Sequence, residues 1–386
     1  MMKKFLRAVF VLALVLVFLA GCAPAANANE IKIGANFELS GAGATYGEGT
    51  MAGIQMAIDE INAAGGINGK KVTIVKYDNK TDAAESTTLA SKLMTQDKVI
   101  AVLGPATTGA TKAEIPVANK NKVPIISGSA TADNVTYDGS TVQEYAFRIC
   151  YNDSFQGTVV ANFAMKNLSF TKGVILMDSS NDYGKGLSDS FTKAFTAGGG
   201  TIAATEAYVT GDTDFKAILT KIKDLDYQFI FISGYYNEAG LIIKQARELG
   251  IAVPVLGADG FDSPKLLELA GAAALNDVYY SNHYSSLDQD ATVQQFIKDF
   301  KAKNNAEPNG FNALGYDLAK FVCDAIGRSE KLDSASLKAA IESTKDFKAV
   351  TGSITMDPAT HNPIKSIVII GLKDGQPSTS VKVNPS

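Results

Sequence analysis

The chain has 386 residues, 46% of them hydrophobic, with 36 Lys and Arg against 40 Asp and Glu and a formal net charge of −4. No basic block occurs, which counts against nucleic acid as a partner. With two histidines far apart and no C-x-x-C, H-E-x-x-H or G-x-S-x-G, zinc chemistry and a Ser–His–acid triad are disfavoured, and both His283 and His361 read as surface residues in polar or turn-like contexts.

The first element sets the compartment. Lys3, Lys4 and Arg7 precede an unbroken apolar run from Ala8 to Ala20. Thirteen helical residues reach roughly 20 Å, short of the ~30 Å hydrocarbon core, so an export signal over 1–21 is expected rather than a permanent span. The run ends in Leu19-Ala20-Gly21-Cys22, which resembles a bacterial lipobox, whose Cys is lipid-modified and starts the mature protein. Residues 22–29 then read as a polar tether, placing the mature chain outside the cytoplasmic membrane and anchored to it. Loss of the signal leaves 33 cations against 40 acids, a net charge of about −7. Cys150 and Cys323 are either free buried thiols or a long-range disulfide. Roughly 360 mature residues exceed one comfortable core, so two domains are expected.

From residue 31 strands and helices alternate. IKIGANF (31–37) is a strand, and 46–66 a helix stopped by Gly65-Gly66. Strands follow at 71–78, 98–104 and 123–128, with a helix at 83–96 and another before 123. The alternation restarts after 150, with helices at 153–168, 183–199, 214–225 and 237–250 and strands at 173–178, 201–209, 227–234 and 253–259. Apolar strands without period-2 alternation, separated by helices, indicate parallel sheets covered on both faces. Two series imply two doubly wound α/β domains, each with a crevice at its strand C-termini. The tail, 349–372, is strand-rich and could return to complete a sheet.

LGPATTGAT (103–111) is one residue short of a G-x-x-x-x-G-K-[ST] phosphate loop, since Ala110 stands where the Lys would be. Its strand–loop–helix setting still aims N–H groups and a helix N-terminus at the crevice, and Thr107 and Thr108 add hydroxyls. A second hydroxyl-rich loop, ISGSATAD, follows the next strand with Ser127, Ser129 and Thr131. Each loop alone could be helix capping. As a pair they suit a small carboxylate better than a triphosphate.

These stretches, with GANFELSGAGATYGEGTMAGIQMAIDEINAAGGING, VKYDN, DSFQG, DYGKG, ISGYYNEAGLIIKQARELG and VLGADGF, make residues 30–373 resemble the leucine/isoleucine/valine-binding family of substrate-binding lipoproteins that serve ABC importers. That resemblance implies a type I periplasmic-binding fold, two doubly wound parallel-sheet lobes joined by a three-crossing hinge. Lobe one would be 30–150 and 281–350, and lobe two 151–280 and 351–386. It also implies ligand-binding roles. Thr108, with Thr107 and Ala106 beside it, would hold a ligand α-carboxylate. Ser129 and Thr131, flanking Ala130, would meet its ammonium through a carbonyl and a hydroxyl. Tyr183 and Tyr235 would close over the ligand, Tyr46 would form part of the wall, and Asp259 would pair with the ammonium. Relatives often carry Glu at that last position, so this acid is one methylene shorter. Phe37, Ala106 and Tyr151 flank these motifs as further candidates for the side-chain pocket.

The implied function is an extracytoplasmic receptor that binds a small amino acid, branched-chain or otherwise aliphatic, and delivers it to permease and ATPase subunits. It would be a monomer, without catalytic residues, metal or cofactor. The alternatives are a receptor for another small carboxylate or amide, and a sensing module without transport.

Overall fold

A computed structural model describes residues 29–384, so Cys22, the export signal and most of the tether lie outside the described residues. The first sheet is wholly parallel: β1 (Glu30–Phe37), β2 (Lys71–Asp78), β3 (Val102–Leu103), β4 (Ile125–Ser127) and β5 (Ala146–Arg148), in the order β2-β1-β3-β4-β5. The second contains β6 (Lys172–Asp178), β7 (Thr201–Tyr208), β8 (Phe229–Ser233), β9 (Val255–Gly257) and β10 (Val278–Asn282) in the same relative order, β7-β6-β8-β9-β10. The tail completes this sheet: β14 (Ile367–Lys373) and β15 (Gln376–Val383) add antiparallel strands beyond β10. Between them, β11 (Phe347–Ala349), β12 (Gly352–Asp357) and β13 (Asn362–Ile364) form a small separate sheet.

Eleven α-helices cover these sheets among the described residues: α1 (Ala44–Ala63), α2 (Ala83–Thr95), α3 (Thr108–Asn121), α4 (Asp153–Lys166), α5 (Asp182–Ala197), α6 (Lys216–Lys223), α7 (Tyr236–Glu248), α8 (Pro264–Ala270), α9 (Ala291–Asn304), α10 (Gly310–Arg328) and α11 (Ser334–Glu342). The two-lobe α/β architecture is thus the expected one. Ile31, Ile33, Ala35 and Phe37 on β1 are buried, as are Phe229 to Ile232 on β8, because helices pack on both sheet faces. Of the run 98–104 only Val102–Leu103 is regular strand, although Ile100 N donates to Lys32 O at 3.2 Å and Ala101 O accepts from Gly34 N at 2.8 Å.

Strand order locates the crevice. In each sheet the order reverses beside the first strand, between β1 and β3 and between β6 and β8. Loops there leave in opposite directions and open a gap at the strand C-termini. The two gaps face each other, and the loops meet across them. Ala42 O accepts from Tyr236 Oη at 2.8 Å and Asn237 Nδ2 at 2.9 Å, Thr45 Oγ1 lies 3.0 Å from Ser263 Oγ, and Lys112 pairs with Asp182.

Glycines set one close approach. A Cβ on Gly315 of α10 would stand 2.0 Å from Thr50 O of α1, and one on Gly53 would stand 2.0 Å from Asn312 O. The two helix backbones touch there. Gly315→Val is expected to lower stability by about 1–3 kcal/mol or more through overpacking. A fall in the urea midpoint at unchanged slope is the expected readout.

Candidate functional site

On the first lobe, β1 delivers Glu38 to the crevice, and β3 delivers the 104–111 loop beside it. Glu38 is fully buried. Its carboxylate accepts from Ala106 N and Thr107 N, each at 3.0 Å, and from the Thr107 hydroxyl at 2.6 Å. Two backbone donors of the anion-type loop and one hydroxyl are therefore held by the chain's own acid. Thr108, at the first residue of α3, is left as the hydroxyl of that helix N-terminus on the cavity wall, 3.4 Å from Ala132 N.

The β4 loop is tied to the β3 loop. Ser127 Oγ donates to Pro105 O at 2.6 Å, and Ser129 Oγ donates to Ala106 O at 2.8 Å. Ala130 turns its carbonyl to the buried Arg148, 3.1 Å from Nη1. Thr131 is buried; its carbonyl accepts from Asp153 N at 2.8 Å, and its hydroxyl has no hydrogen-bond partner among the described residues.

The second lobe contributes the ends of β6, β8 and β9. Tyr183 Oη donates to Asp259 Oδ1 at 2.7 Å and accepts from Gly260 N at 3.0 Å. Its ring stacks on Tyr235 with centroids 4.9 Å apart, and Tyr235 meets Tyr46 edge-on at 5.6 Å. Tyr46 reaches across from the first lobe and donates to Gly260 O. Burial raises the pKa of Tyr46, Tyr183 and Tyr235, so all three stay neutral phenols able to donate.

These pieces line one narrow cavity, formed by Tyr46, Ala106, Thr107, Thr108, Ser129, Tyr183, Tyr235, Asp259, Gly260 and Phe311. One wall carries a helix N-terminus with a hydroxyl, and another carries a carboxylate. The arrangement can take an anionic and a cationic group on one short molecule.

Of the residues expected in the site, Ala130 and Thr131 do not line the cavity. Nor do Phe37, which packs in the first-lobe core, and Tyr151, which stacks on His283 at 3.9 Å. Gly260 and Phe311 line it without having been expected. Gly260 adjoins Asp259 and could have been inferred. Phe311 comes from α10, distant in sequence from every motif.

Both histidines are buried, contrary to the surface reading. His283 Nε2 lies 3.1 Å from Asp259 Oδ2; His361 stacks on Phe147 at 4.0 Å, with Nε2 3.0 Å from Glu342 Oε1. Their partners are remote in sequence, which a local reading cannot detect. Cys150 and Cys323 are free and buried, not bridged. Among the described residues no His/Cys/Asp/Glu group is placed to hold a metal ion, and no helix is long and apolar enough to cross a membrane.

Comparison with known proteins adds three findings. Residues 30–377 match a family model described as periplasmic binding protein. A Leu/Ile/Val-binding protein, BraC3 of Rhizobium johnstonii, is 30% identical over 86% of this chain and 89% of its own length. Two solved structures superpose closely. LivJ of Streptococcus pneumoniae, a branched-chain amino acid transporter substrate-binding protein in complex with isoleucine, is 41% identical with a TM-score of 0.87, over 92% of this chain and all of its own. The leucine-binding protein LivK of Thermotoga maritima is 31% identical with a TM-score of 0.86, over 92% and 99% of the two chains.

Proposed function

We infer from the chain's place in the periplasmic-binding-protein family, to which it belongs, that it is the extracytoplasmic substrate-binding protein of an ABC importer for a small amino acid. It captures the ligand between its lobes and delivers it to the permease; it binds and does not catalyse. Branched-chain or other aliphatic side chains suit the aromatic wall of Tyr46, Tyr183, Tyr235 and Phe311. The observation that carries this reading is that Thr108, at the α3 N-terminus, and Asp259 line the same cavity. A zwitterion needs an anion site and a cation site in one cavity, and a simple carboxylate needs only the first.

In this reading Thr108 and the α3 N-terminus hold the ligand α-carboxylate, because Glu38 already occupies the N–H groups of Ala106 and Thr107. Asp259 and the Ser129 carbonyl take the ammonium. Thr131 stands behind this wall, its carbonyl accepting from Asp153 N at 2.8 Å. A hydrogen bond to a charged group is worth about 1.5–3 kcal/mol. Thr108→Ala should therefore weaken binding roughly tenfold to a hundredfold, and ligand amides should bind poorly to the parent protein. Equal binding of amide and free acid would remove the carboxylate from this position.

Two further parts of the reading concern the whole chain. The lobes divide near residues 150 and 281; the last crossing, expected at residues 350–351, falls in this reading later, between β13 and β14. It is supported there by His361 Nδ1, 3.0 Å from Ala146 O, and by Asn362, whose Oδ1 accepts from Arg148 Nε at 2.7 Å. The mature protein is a monomer held to the membrane by acylated Cys22. Two or more acyl chains on one residue would anchor it stably, so partition of the native protein into detergent, abolished by Cys22→Ser, is the expected result.

A further inference from the structure

Both oxygens of Asp259 are engaged by the protein's own side chains. Tyr183 Oη donates to Oδ1 at 2.7 Å, and His283 Nε2 stands 3.1 Å from Oδ2. An ionised carboxylate only accepts, so the proton of neutral His283 sits on Nε2. Its other nitrogen, Nδ1, has no hydrogen-bond partner among the described residues. The imidazole is clamped by its stack on Tyr151, with planes 15° apart. Tyr151 follows β5 and His283 follows β10, so the stack joins two segments where the chain leaves its two sheets.

We propose that His283 is a positioning residue which aims the Asp259 carboxylate at the ligand's ammonium, and that protonation of its ring in acid opposes ligand binding. The inference rests on the amino-acid reading of the cavity. At neutral pH the pair Asp259–His283 carries one negative charge, which the ammonium neutralises. Once the ring takes a proton, imidazolium and ammonium compete for the same carboxylate at short range, and like charges repel in a buried site.

The groups facing the ring are accounted for. Asp259, on the turn after β9, favours the imidazolium; Asp153 at the start of α4 stands near Asp259 in the same buried cluster. Lys365, between β13 and β14, disfavours it, its Nζ donating to Ile149 O at 3.1 Å. Tyr151 and Cys150, on the β5–α4 link, are neutral, because burial raises both pKa values. Burial of the ring outweighs the pull of Asp259, so the His283 pKa lies below its ordinary value near 6.5. Bound ammonium lowers it further. A group whose pKa falls on binding makes affinity drop as pH falls below the pKa of the free protein, by up to about tenfold per pH unit, with release of up to one proton.

The test uses the mature chain, L-isoleucine as probe and 3-methylpentanoate as the same skeleton without its amine. Because the chain has only two histidines, the ring signals can be assigned by NMR. The His283 titration midpoint should fall on addition of isoleucine, and calorimetry at the midpoint NMR gives for the free protein should show proton release through buffer-dependent enthalpy. His283→Leu should lose about tenfold in affinity at pH 7.5; His283→Gln, whose amide can donate to Oδ2, should recover most of it yet show neither proton release nor the parent's acid weakening below pH 6.5. A ring midpoint unmoved by isoleucine, or a parental pH profile retained in His283→Gln, would overturn the inference while leaving the binding function intact. Equal affinity for isoleucine and 3-methylpentanoate would instead overturn the amino-acid reading and this inference with it.

Discussion

Asp259→Ala is expected to weaken amino-acid binding at least 30-fold while affecting the des-amino analogue far less. A zwitterion closed between two lobes leaves water with both charges, and its ammonium needs a countercharge in the cavity. Ser129 and the tyrosines offer dipoles only, whereas Asp259 lines the cavity with a carboxylate. Removing one partner of a buried, hydrogen-bonded charge pair costs about 2–5 kcal/mol, much of it as the stranded charge. The effect should appear as an interaction in a double cycle, ligand amine against side-chain carboxylate. Equal losses for both ligands would place Asp259 in closure, through Tyr183 and His283, and not in recognition.

The second large effect is expected at Glu38. Its removal strands three buried donors, Ala106 N, Thr107 N and the Thr107 hydroxyl. An unsatisfied buried donor costs about 1–3 kcal/mol, so Glu38→Ala should lower unfolding stability by about 3 kcal/mol or more. Ligand affinity should fall as well, since Thr108 is positioned by the same loop. Glu38→Gln, which still offers one acceptor oxygen, should retain part of both. Urea unfolding of the ligand-free protein separates the two effects. An unaltered midpoint in Glu38→Ala would show that the loop is ordered by other contacts, such as Ser127 and Ser129.

The 103–111 loop shows how far a sequence reading reaches. Its strand–loop–helix form, its neighbouring Ser/Thr loop and its place at a strand C-terminus were legible from apolar runs and turn residues. What fills its donors was not. Glu38 follows an apolar strand and precedes Leu39-Ser40-Gly41, where a charged residue reads as a solvated turn; only the pairing of β1 with β3 brings it to Ala106. The same holds for His283, whose partner Asp259 is 24 residues away. Helix α10, by contrast, carried a local signal that the strand-led reading passed over: Asn309 and Asn312 form a capping box ahead of an amphipathic run. That helix brings Phe311 to the cavity. Local periodicity reports elements and loops, and partners across the sheets depend on strand order.

The most direct measurement is thermal unfolding of the mature chain with each of the twenty amino acids, and with the amide and des-amino forms of any that bind. A ligand at 100 times its dissociation constant adds about 2.7 kcal/mol of stability. A clear rise in midpoint with one or more aliphatic L-amino acids, and a much smaller one with their amides or des-amino acids, is the expected result. No rise with any amino acid, or an equal rise with the simple carboxylate, would contradict the assignment of this cavity to an amino-acid zwitterion.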